Sequence, residues 1–91
     1  MSQDEIAFLL KRGQALVAVG DIASARLILT RIADKGSAEA AFALASTFDA
    51  SVLASLRVVG VQGDPEMARA WYSKAAELGS SEAGKRLQAL R

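Results

Sequence analysis

The chain has 91 residues, 11 Lys and Arg against 10 Asp and Glu, a net charge of +1, and neither His nor Cys. That length allows one small domain, which buries about 60% of its unfolded surface and must hold without disulfide or Cys/His metal staples. The charge balance gives no broad field for nucleic acid or an anionic membrane, and the missing His and Cys exclude a conventional zinc site and Ser-His or Cys-His nucleophiles.

From the N-terminus, Ser2-x-x-Glu5 reads as a capping box, and Ile6, Leu9, Leu10, Gly13, Leu16 and Val17 follow at helical spacing, predicting a helix over 4–19. Gly20 closes it. Asp21 caps a second helix that turns Ala25, Ile28, Leu29 and Ile32 inward and stops at Gly36. Ser37 caps a third, over 38–48, with Ala41, Leu44, Ala45 and Phe48 on one stripe. The segment 49–63 is the least regular. Asp64-Pro65 is the strongest start signal, opening a helix with Ala68, Trp71, Tyr72, Ala75 and Ala76 that ends at Gly79. Ser80 or Ser81 caps a short last helix with Ala83, Leu87 and Leu90. With 19 Ala and 11 Leu against 12 Val, Ile and Thr together, the expected class is all-α, with five principal helices and one short extra helix in the irregular segment.

Sliding the chain along itself by 43 residues aligns 20–44 with 63–87, and 10 of those 25 positions are identical. The matches, among them Asp21/Asp64, Ala25/Ala68, Arg26/Arg69, Ser37/Ser80 and Glu39/Glu82, fall on caps, stops and small residues where helices touch. A repeated helix-turn-helix unit requires that distribution.

The stretch Gly60-Val61-x-x-Asp64-x3-Ala68-x2-Trp71-Tyr72-x-Lys74-Ala75-Ala76-x2-Gly79 resembles the signature half of a Sel-one-like repeat, a branch of the tetratricopeptide superfamily. Leu9, Gly13, Leu16, Ala25 and Leu29 resemble the parent pattern W-x2-L-G-x2-Y…A-x3-F, with Arg12 in place of its Leu. Ala41-x2-Leu44-Ala45-x2-Phe48 fits the first helix of the second unit. The resemblance implies a short right-handed superhelix of stacked antiparallel helix pairs: unit one over 4–36, unit two over 37–79, and a capping helix over 80–91 carrying Glu82, Lys85, Arg86 and Arg91. Phe48 and Asp64 stand 16 apart. That is about seven more than the family pattern allows, so 49–60 reads as an insertion. It is apolar, and is expected to form a short helix across the groove or against a partner, with Leu53, Leu56, Val58 and Val59 as candidate contacts.

What the resemblance implies about function is peptide binding on the concave face lined by the first helix of each unit. Those positions are Ala7, Leu10, Gln14, Val17 and Ala18, then Glu39, Phe42, Ser46 and Asp49, of which Leu10, Gln14, Val17, Glu39, Phe42 and Ser46 are the candidate groove. The Lys/Asn set that clamps a peptide carboxylate in some members is absent, so an apolar helix or strand is the expected guest. The leading expectation is a non-enzymatic protein-interaction module. Its rival is structural: a terminal domain of a larger, bacterial envelope-associated protein, using the groove or insertion for dimerisation or for docking onto the parent chain.

Other motifs have blander readings. Gly79-Ser80-Ser81-Glu82-Ala83-Gly84-Lys85 fits the spacing of a phosphate loop, but Arg86 stands where Ser or Thr must hold magnesium, and no strand precedes it. Asp21 and Asp64 are explained as caps, and the other carboxylates are dispersed. Lys85, Arg86 and Arg91 form a basic cluster without an interleaved aromatic, which reads as a solvated helix face. Of Trp71 and Tyr72, at least one is expected in the core, with the Tyr72 hydroxyl finding a partner. No cofactor, metal, small-molecule substrate or nucleic acid is expected; a protein or peptide partner is, and a homodimer follows if an open repeat end self-associates. The longest uncharged run, 40–48, is far short of a membrane helix, and the acidic start Met1-Ser2-Gln3-Asp4-Glu5 does not read as a secretory signal. A soluble protein of the cytoplasm or the periplasm fits equally, since a chain without Cys does not distinguish them.

Overall fold

The start signals open helices one after another in the computed structural model of the protein, which describes residues 1–90. α1 (Gln3–Ala18) begins at a reciprocal capping box: the Glu5 amide donates to the Ser2 hydroxyl at 3.1 Å, and the Ser2 amide donates to Glu5 Oε1 at 3.0 Å. Asp21 caps α2 (Ile22–Ala33), Ser37 caps α3 (Ala38–Ser46), and Asp49 caps α4 (Ala50–Ser55). Asp64 caps α5 (Pro65–Glu77), with Pro65 at the first helical position, and Ser80 caps α6 (Ser81–Ala89). The fold is all-helical, with six helices among the described residues. Arg91, assigned above to the capping helix and the basic cluster, lies outside them.

α3 is shorter than its hydrophobic stripe suggested. The Ser46 and Thr47 hydroxyls each donate back, at 2.6 Å, to the carbonyls of Ala43 and Leu44, and the chain leaves the helix before Phe48. Such hydroxyls offer the backbone an alternative to the next helical turn. Asp49 then starts α4 inside the insertion, where the sequence predicted a short helix.

Successive helices pack in order along the chain, α1 on α2, α2 on α3, α3 on α5 and α5 on α6, with a smaller contact between α1 and α3. The buried cluster is mostly alanine, and Leu29, Ile32, Leu44 and Tyr72 supply its bulk. Small residues let these helices approach closely. Gly13 is the tightest case: a Cβ there would sit 2.7 Å from Leu29 Cδ2 and 2.9 Å from Leu29 Cγ, so α1 and α2 meet as they do because position 13 has no side chain. Tyr72 is fully buried and Trp71 half-buried against the same cluster.

The insertion hangs from a closed base. The Asp64 amide donates to the Phe48 carbonyl at 2.8 Å, joining the two ends of the segment, and a Cβ at Gly63 would sit 2.9 Å from Ala50 Cβ and 3.0 Å from its Cα and N. From α4, Leu53 turns inward and is buried, whereas Leu56 and Val59 are exposed. Arg57 follows α4 with φ +57°, and the Val58 amide reaches back to the Leu53 carbonyl at 3.1 Å. This helix ending normally places glycine at the left-handed position. Arg57→Gly is therefore expected to raise stability by about 0.5–1 kcal/mol in chemical denaturation, the relief of left-handed strain exceeding the added freedom of the unfolded chain.

Candidate functional site

Residues of α1 and α3 face one another along a furrow. Toward the C-terminal ends of α1 and α3 is a concavity of about 220 Å³ lined by Gln14 and Val17 from α1 and by Phe42, Ala43 and Ser46 from α3. A second, of about 200 Å³, shares Gln14, Phe42 and Ala43 and extends to Glu39, Ser80 and Glu82, where α6 begins. Toward the N-terminal ends of α1 and α3 a third, of about 310 Å³, holds Ile6, Leu10, Lys35 and again Glu39. The six candidate groove residues all line one or more of these three concavities, with Gln14, Phe42 and Ala43 common to the first two and Glu39 to the last two.

No residue of 49–60 lines these three concavities. Of the two placements expected for the insertion, across the groove or against a partner, the first is not what the structure has: its base sits at the junction of α3 and α5, closed by the bond between Phe48 and Asp64. Of its four candidate contacts, Leu53 is already buried within the chain and Val58 is half-buried, which leaves Leu56 and Val59 open to solvent. Asp49, read as a groove position, is buried too: it is spent capping α4. Ala7 lines the furrow's N-terminal concavity, and Ala18 is exposed.

Phe42 has a double role. Its ring lies 5.5 Å from that of Tyr72, tilted by 56°, so the residue that lines the furrow is also wedged against the core. Tyr72 in turn donates its hydroxyl to Asp49 Oδ2 at 2.8 Å, and Asp49 Oδ1 accepts from the Ser51 amide at 3.0 Å and the Ser51 hydroxyl at 2.8 Å. Burial pushes the Asp49 carboxyl up, but the hydrogen bonds from Ser51, Tyr72 and the Val52 amide together hold it below its ordinary value. The Tyr72 phenol moves far above its own, first through burial and then through the bond to Asp49 and its charge.

Arg26 completes this support from α2. Its Nη2 donates to the Thr47 carbonyl at 2.6 Å and its Nε to the Thr47 hydroxyl at 3.2 Å, while the guanidinium stacks 4.0 Å from the centre of the Phe48 ring. Burial lowers its pKa and the charge of Asp64 offsets part of this. Sequence reasoning gave Arg26 no role, although its identity with Arg69 across the repeat was the available signal; Arg69 is exposed. The phosphate-loop spacing dissolves into a helix start, with Ser80 capping α6 and Gly84 and Lys85 inside it. No cluster of three or more Asp or Glu side chains suited to a metal ion occurs among the described residues, and no described helix is long and apolar enough to cross a membrane.

No family model matches the chain, and neither a curated protein nor a solved structure is significantly similar to it.

Proposed function

We propose that the protein is a non-enzymatic interaction module of the tetratricopeptide type, in its Sel-one-like branch, which receives a protein or peptide segment along the furrow between α1 and α3. The observation that carries this reading is the convergence of Leu10, Gln14, Val17, Glu39, Phe42 and Ser46 on one furrow that the insertion leaves open. The concavities fall at or below the small end of sites that enclose a whole small molecule, about 300–1,000 Å³, and their sizes suit side chains presented by an extended or helical segment. Recognition would rest on apolar burial against Val17 and Phe42, with Gln14 and Ser46 orienting the guest.

The test is selection of a random dodecapeptide library on the immobilised full chain, followed by amide-shift mapping with the enriched peptides. Shifts concentrated at Gln14, Phe42, Ala43 and Ser46 are the expected result; no enrichment, or shifts confined elsewhere, would overturn the reading. The structural alternative draws on the insertion tip, where Val59 is 92% exposed and Leu56 40%. A concentration-independent dimer in light scattering that Val59→Asp converts to monomer would put dimerisation through the insertion ahead.

A further inference from the structure

The furrow is not electrically neutral where α6 meets it. Glu39 and Glu82 are the matched pair of the 43-residue repeat, each in the first turn of its helix, and both are exposed. A carboxylate in a first turn is favoured by the helix dipole, which explains why each helix carries one. It does not explain why the two share one concavity. Packing of α6 on α5, which itself lies on α3, brings both to the space of about 200 Å³ that also holds half-buried Phe42 and, from α1, Gln14. Among the described residues they are the only ionisable ones lining that space, although the chain as a whole carries +1. Lys35 lines only the neighbouring concavity toward the start of α1.

Resting on the groove reading above, we propose that the guest segment inserts a Lys or Arg side chain between Glu39 and Glu82 and lays an adjacent apolar side chain on Phe42 and Val17. The charge complementarity is specific. Two carboxylates facing one concavity repel each other, and a cation placed between them relieves the repulsion while making charge-assisted hydrogen bonds. The face of Phe42 adds attraction for the same cation, and the Gln14 carbonyl is a further acceptor. An acidic segment adds to the repulsion and a purely apolar one leaves it unrelieved, so the two glutamates would select the guest and fix its register along the furrow.

The peptides enriched from the dodecapeptide library supply the test, measured against the wild-type chain and against Glu39→Gln/Glu82→Gln, which keeps both side chains' shape at exposed positions. The expected peptides carry Lys or Arg beside an apolar residue, shift the furrow amides, and bind the double variant about three- to tenfold more weakly. Their affinity for the wild-type chain should also fall as salt is raised from about 50 to 300 mM. Peptides that shift Gln14, Phe42 and Ser46 yet bind both proteins equally, or ignore salt, would overturn the cation site and leave the groove reading standing. Peptides that shift no furrow amide would remove both.

Discussion

Tyr72→Phe should destabilise the protein by about 1–3 kcal/mol, although it deletes a single oxygen, because the loss leaves a buried carboxylate short of a hydrogen bond. For a domain of this size each kcal/mol corresponds to about 4–8 °C in Tm. The partner is Asp49, which is 4% exposed and sits at the turn from α3 into the insertion. Its carboxyl is held below the ordinary value despite burial, so its ionised form contributes stability above the unfolded pKa of about 4 and loses it as pH falls through the folded pKa. Without the Tyr72 hydroxyl, burial is opposed by fewer donors and the Asp49 pKa rises. The variant's stability should begin to fall at a higher pH than the wild type's, and the difference between the two should shrink in acid. Denaturant titrations across the acid range measure both. A constant difference between the proteins at every pH would refute this account of the bond.

A larger loss is expected from Leu29→Ala, about 2–5 kcal/mol, since Leu29 is fully buried between α1 and α2. Its relation to Gly13 makes the result diagnostic. Alone, Gly13→Ala gains about 1 kcal/mol of helix propensity but drives a methyl group to within 2.9 Å of Leu29 Cγ, an overpacking that costs about 1–3 kcal/mol. In the Leu29→Ala background that collision is absent and the cavity receives the new methyl. The same Gly13→Ala change should then stabilise by about 1 kcal/mol or more, reversing its sign. Additive effects in the double variant would show that the close approach of α1 and α2 is not what position 13 serves.

Helix boundaries were legible where the signal is local. Ser2, Asp21, Ser37, Asp64 and Ser80 all act as the caps their spacing indicated, because a cap needs only its own side chain and the amides just beyond it. The end of α3 was misread because the apolar stripe runs on to Phe48, while the competing bonds of Ser46 and Thr47 leave no mark on hydrophobic periodicity. The insertion's helix could be anticipated but not its placement, which depends on contacts distant in sequence: Asp49 to Tyr72, and Asp64 to Phe48. The furrow residues were marked out by the tetratricopeptide resemblance, which assigns them to the first helix of each unit, and by no local signal of their own. The furrow's charge came from α6 joining the same wall, an effect of stacking that no single motif displays.

The order in which the helices pack also determines how the molecule comes apart. α3 is flanked on both sides, by α2 and α5, whereas α6 is fastened chiefly to α5 and α1 chiefly to α2. Opening then proceeds from the ends inward, and α6 can detach while the α2–α3–α5 centre stays assembled. Detachment of α6 carries away Ser80 and Glu82 and removes one wall of the furrow. A guest that grips both Glu39 and Glu82 is therefore also a clasp, and its residence time is tied to the fraying of the last helix.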